Sequence, residues 1–111
     1  MLKINNEFIE KLQKIVETSE LSRKHNTPLS NRILKLTEEV GELAQAYLKY
    51  SWSVNASKSA GDTKLHLMEE AQDVLLVIID ILNQIVENEE DQELILDFLE
   101  KKNNKWKSKL I

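Results

Sequence analysis

Two glycines and one proline in 111 residues leave this chain with too little turn-forming material for a β-protein. Long helices are the alternative, and the apolar residues repeat at helical spacing. Phe8, Ile9, Leu12, Ile15, Val16 and Leu21 mark a first amphipathic helix from about Asn6 to Lys24. Pro28 disfavours helical geometry in the residue before it, so Lys24 to Pro28 reads as a connector. A second helix then runs from about Leu29 to Tyr50, with Ile33, Leu34, Leu36, Val40, Leu43, Ala44, Tyr47 and Leu48 as its apolar set.

Residues 51 to 61 contain four serines, an asparagine and a glycine, which favour turns over continued helix. They are the clearest predicted loop. Asp62 is the expected N-cap of a third helix reaching about Glu87, rich enough in Leu, Ile and Val that most of its circumference should be buried. A fourth helix, about Asp91 to Lys107, places Leu94, Ile95, Phe98 and Leu99 on one side and should fray towards Ile111. The expected fold is therefore all-α, a single domain over residues 1–111, short enough to gain from a partner subunit.

Composition excludes several classes of function. Without cysteine there is no disulfide framework and no thiolate metal site, which fits a reducing compartment and makes a cytoplasmic location the default. The N-terminus lacks a signal-peptide pattern, and the longest uncharged apolar run, Val74 to Ile79, ends at Asp80, so no membrane span is expected. A net charge of -4 argues against general nucleic-acid binding, although Lys101, Lys102, Lys105, Lys107 and Lys109 cluster near the C-terminus.

The acidic residues carry the chemistry. Glu39 and Glu42 are three apart on the second helix, and Glu70 and Asp73 three apart on the third, so each pair shares a helical face. Spacing alone is weak, because the chain contains seven such pairs where chance gives about three. The setting is more telling: these two pairs lie in the most apolar helices, where charge must be compensated. Glu42 lies eight residues before Tyr50 and Glu70 eight after Asp62, so each sits about 12 Å from the connecting loop. An antiparallel hairpin would bring all four carboxylates to one level. There they would repel unless a hard cation such as Mg²⁺ or Mn²⁺ neutralised them; plain surface ion pairing is the alternative.

The string Leu36-Thr-Glu38-Glu39-Val-Gly-Glu42-Leu-Ala, followed by Glu69-Glu70-Ala-Gln-Asp73-Val-Leu, resembles the Glu-Glu-x-x-Glu and Glu-x-x-Asp motif pair of the MazG-like nucleotide pyrophosphohydrolases. Weaker likeness extends to residues 55–60 and to Lys102-Asn103-Asn104-Lys105-Trp106. The resemblance implies a four-helix MazG-like bundle completed as a homodimer or homotetramer. It also implies Mg²⁺-dependent cleavage of nucleoside triphosphates to monophosphate and pyrophosphate. Carried over by residue, Glu39, Glu42, Glu70 and Asp73 are the implied metal ligands. Glu38 and Glu69 would orient water or act as base beside Glu39. The alternative is a non-catalytic helical module that binds a nucleotide or a partner protein.

Arg32 and Lys35 precede Glu39 by seven and four residues and either hold the triphosphate or pair with the acids. Lys58, Lys102, Asn103 and Lys105 match family positions that would clamp phosphates, or are solvated surface. Trp52 and Trp106 either stack on a base or, more in keeping with their type, pack in a core or subunit contact. Asp80, seven residues after Asp73, is either a group supporting the metal ligands or a buried, partnered acid. His25 and His66 do not form the Glu-x-x-His pattern of di-iron bundles and are expected to face solvent. Gly41 costs about 1 kcal/mol relative to alanine in a helix, which suggests close approach of a neighbouring backbone.

Overall fold

The computed structural model describes residues 1–25, 28–55 and 61–111. Among them the chain forms four α-helices and no strand: α1 (Asn6–Arg23), α2 (Leu29–Asn55), α3 (Gly61–Ile85) and α4 (Glu89–Leu110). None is long and apolar enough to cross a membrane.

Local chemistry sets the helix ends. The Asn5 side chain accepts a hydrogen bond from the Phe8 amide at 3.0 Å and caps α1. The Pro28 carbonyl accepts from the amides of Asn31 and Arg32, so α2 starts immediately after the proline, which needs no amide partner of its own. At α4 the capping is reciprocal: Asn88 Oδ1 accepts from the Asp91 amide at 2.8 Å, and Asp91 Oδ2 from the Glu87 amide at 3.0 Å. Glu89, Glu90 and Asp91 in its first turn and Lys107 and Lys109 in its last complement the helix dipole.

Three expectations are corrected here. Residues 51–55 are helical, not loop: the Ser53 hydroxyl donates to the Lys49 carbonyl one turn back, which serves serine inside a helix as well as in a turn. Asp62 lies inside the first turn of α3, one residue beyond its start. The fourth helix continues to Leu110, three residues past Lys107.

α3 is the centre of the molecule. α2 packs along it as an antiparallel hairpin and α1 crosses another side, whereas α1 and α2 do not pack on each other and α4 packs on none of the three. Among the described residues the buried apolar ones are accordingly few: Ala46 of α2 and Val77 and Ile81 of α3. Much of α3 expected to be covered is open, including Leu75, Leu76, Ile78 and Leu82, as are Leu94, Phe98 and Leu99 of α4 and Trp106. The chain exposes 9134 Å², where a compact monomer of 12.9 kDa exposes about 6,300 Å². Its radius of gyration, 16.8 Å, likewise exceeds the roughly 13 Å of a compact chain this long.

Candidate metal centre

The α2–α3 hairpin brings the two acidic motifs together. One carboxylate oxygen from each of Glu39, Glu70 and Asp73 lies within 4.8 Å of the other two. Glu39 is the buried member, only 5% exposed, and sits where α2 faces α3. Its Oε1 accepts from Lys35 Nζ at 2.9 Å, one turn back on the same helix, while its Oε2 is buried and has no hydrogen-bond partner. Glu70 Oε2 is in the same condition. An orphaned buried acceptor costs about 1–3 kcal/mol, more when charged, so two in one cluster demand a partner.

Glu42 is more exposed but feels the same group. The charge of Glu39, then burial, then the charge of Glu70 push its carboxyl above the ordinary 4.5. The Glu39 bond and charge, with a smaller contribution from Glu38, push the Lys35 ammonium up from 10.5. Lys35 thus steadies one oxygen of Glu39 and leaves the other without a partner among the described residues. Glu38, whose Oε2 lies 3.6 Å from Lys35 Nζ, and Glu69 are exposed on the turns that carry Glu39 and Glu70.

The cationic residues expected to contact substrate are dispersed. Lys35 pairs with Glu39 and Glu38, and Arg32 pairs with Asp80. Lys102, Asn103 and Lys105 ride on α4, which does not pack on the helices bearing the carboxylates. Lys58 lies outside the described residues. His66 is exposed, with Nε2 3.7 Å from Glu70 Oε1, and His25 is exposed as well. Trp52 and Trp106 are 60% and 66% exposed, so neither lies in a core of this chain. At Gly41 the expected close approach is not found: a β-carbon there would meet no atom of the described residues within 4 Å, which leaves the glycine as merely tolerated in the helix.

Of the two readings of Asp80 the structure shows the buried, partnered acid, and its partners, which sequence reasoning did not foresee, form a second polar cluster that joins three helices. Asp80, 5% exposed, accepts from Ser19 Oγ of α1, from Arg32 Nε of α2 and from Gln84 Nε2 of its own helix at 3.3 Å. Asn83 Nδ2 donates to Ser19 Oγ and to Glu20 Oε1, both at 2.9 Å, and Arg23 reaches the Gln84 carbonyl at 3.1 Å. Burial pushes the Asp80 carboxyl up, but the bonds from Ser19 and Gln84 and the charge and bond of Arg32 outweigh it and hold it below 3.8. Asp80 is therefore a buried, partnered acid. The available signal was Asn83-Gln84 interrupting the apolar run of α3, with Asn83 meeting Ser19 of α1.

Comparison of the chain with family models, with curated proteins and with solved structures gave no match. What the fold and site define is thus a class in physical terms: an all-α chain carrying a partly buried tricarboxylate cluster with unpartnered oxygens.

Proposed function

We propose that the chain is a cytoplasmic, Mg²⁺-dependent nucleoside triphosphate pyrophosphohydrolase of the MazG-like kind, releasing nucleoside monophosphate and pyrophosphate. The observation that carries this reading is Glu39, a carboxylate more than nine-tenths buried that has an oxygen within 4.8 Å of carboxylate oxygens of Glu70 and Asp73, with Oε2 of both Glu39 and Glu70 buried and unpartnered among the described residues. Oxygen-only donors with several negative charges suit a hard divalent ion, and Glu39, Glu42, Glu70 and Asp73 would hold Mg²⁺ or Mn²⁺. Such an ion supplies charge neutralisation at phosphate oxygens and acidifies water.

The remaining work falls to side chains of this chain. Lys35 holds Glu39 through Oε1, which leaves its buried Oε2 available to an ion. Glu38 and Glu69, exposed at its margin, orient the attacking water and take its proton. Lys58 and, if α4 of another copy reaches the carboxylates, Lys102 and Lys105 would neutralise the leaving pyrophosphate, with Asn103 donating a hydrogen bond.

The excess exposed surface, about 2,800 Å² over that of a compact monomer, is of the size buried in obligate interfaces. A homodimer or homotetramer would cover it and could bring α4 lysines of one copy to carboxylates of another. The test of function is pyrophosphate release from a panel of ordinary and modified nucleoside triphosphates with Mg²⁺ and with Mn²⁺. Activity lost in Glu39→Gln and Asp73→Asn supports the reading. A second reading, a non-catalytic module that binds nucleotide or a partner protein, draws on the free apolar side of α4. Binding of nucleotide without release across the whole panel would select it.

A further inference from the structure

Arg32 and Asp80 lie seven residues from Glu39 and Asp73, in the direction away from the α2–α3 connection on both helices. That places the pair about 10 Å from the carboxylates, the reach of a nucleoside from its 5′ phosphorus to the far edge of its base. Two neighbouring hollows between α1 and α3 lie along this span, and Asp73 lines the first of them. A groove bounded by Phe8, Leu12 and Ile15 on one side and Asp73 and Leu76 on the other adjoins a cleft of about 270 Å³, with Ile15 and Leu76 as shared walls. Lys14, Thr18, Ser22 and Arg32 supply the cleft's free polar groups.

Those groups have a defined hydrogen-bonding sense. Arg32 spends Nε on Asp80, and its two Nη groups donate to no described residue. Thr18 and Ser22 donate their hydroxyl protons inward, to the carbonyls of Lys14 at 3.1 Å and Ser19 at 2.8 Å, so each presents an acceptor oxygen outward. Asp80 balances the Arg32 charge, which makes the cleft a poorer phosphate site than a site for a neutral group with carbonyl oxygen. Ile15 and Leu76 supply apolar walls for a flat ring.

We propose that this cleft receives the base of the substrate and prefers a lactam edge, a ring carbonyl beside a ring N–H. Arg32 and Lys14 donate to the carbonyl and a Thr18 or Ser22 oxygen accepts from the N–H. Uracil, thymine and guanine carry that edge; cytosine and adenine present an amino group beside an unprotonated ring nitrogen, the reverse polarity. The inference rests on the pyrophosphohydrolase reading and adds to it which bases are selected.

The test is steady-state pyrophosphate release from dUTP, dGTP, dCTP and dATP with Mg²⁺. The lactam pair should exceed the amino pair in kcat/KM by at least about tenfold, with most of the difference in KM. Arg32→Lys keeps a cation for Asp80 but removes the second donor pair, and should shrink the preference to within about threefold while dCTP is still hydrolysed. Should that variant fail to fold, Lys14→Met, at an exposed position, should still reduce the preference at least about threefold. Hydrolysis of all four nucleotides without base preference, or a preference unmoved by both variants, overturns the base cleft and leaves the pyrophosphohydrolase standing. Silence with all four overturns both.

Discussion

Replacing Asp80 by asparagine tests whether its cluster is what fastens α1 and α2 to α3. The carboxylate accepts from Ser19, Gln84 and Arg32, the last a charged donor. Asparagine retains one acceptor oxygen and turns an amino group towards the donors that faced the other. A lost charged bond costs about 1.5–3 kcal/mol and a neutral one about 0.5–1.5, so about 3 kcal/mol is expected for Asp80→Asn. For 111 residues the unfolding entropy is about 0.23 kcal/mol/K, which turns that loss into a fall in Tm of about 13 °C. Circular dichroism melts of both proteins, at one concentration and pH 7, measure it. The pH dependence has a definite sign. Asp80 is held below 3.8 in the folded chain, so its contribution is complete above the unfolded value and drains as pH falls through the folded one. The difference between wild type and variant should be steady near neutrality and close below pH 3.8. A difference under about 3 °C at pH 7 would refute the role assigned to this carboxylate.

Other perturbations address the acidic cluster and the open surface. Adding Mg²⁺ at ten times its Kd should raise the stability of the wild type by about 1.4 kcal/mol, and no rise should be seen in Glu39→Gln; equal shifts in both proteins would remove the metal centre. Without metal, the Glu42 carboxyl should titrate above 4.5 by carboxyl-carbon NMR and move down in Glu39→Gln; an unmoved midpoint would show that the two charges do not interact. Because the raised value favours the protonated folded form, metal-free stability from Glu42 is present at low pH and lost as pH rises through that midpoint. Gly41→Ala should raise Tm by a few degrees, about 1 kcal/mol of helix propensity with open space for the methyl group; a fall would mean that another chain packs there. Sedimentation should find two or four copies, and charged replacements at Phe98 and Leu99 should lower that number if α4 lies in the contact.

The helices were legible because their signals are local. Apolar spacing and Pro28 specify the helices without reference to the rest of the chain, whereas the Asn88 cap, which starts α4 two residues before the expected Asp91, went unread. The acidic cluster was legible in part, because two i, i+3 pairs on the two arms of a hairpin can meet. Of the four carboxylates expected, Glu39, Glu70 and Asp73 form the group, and the equal heights counted from Tyr50 do not hold because α2 runs on to Asn55. The Asp80 cluster was not legible, since Ser19 and Asn83 are separated by 64 positions and only the crossing of α1 over α3 joins them. Residues 51–55 misled for a different reason. Serine satisfies its hydroxyl equally well against a helical carbonyl, so a serine-rich string does not by itself end a helix. The placement of α4 was hidden too, because its apolar stripe states that something covers it without stating what.

The position of α3 in the chain bears on how the protein is made. Both N-terminal helices dock on a segment that follows them, and they do not pack on each other. During synthesis the first half of the polypeptide therefore has no tertiary partner until residues 61–85 have emerged. Until then α1 and α2 depend on their own marginal helicity and on whatever shields their apolar stripes. A ribosome pausing before α3 would hold out two unpaired amphipathic segments, and one pausing after it would already carry a docked three-helix unit.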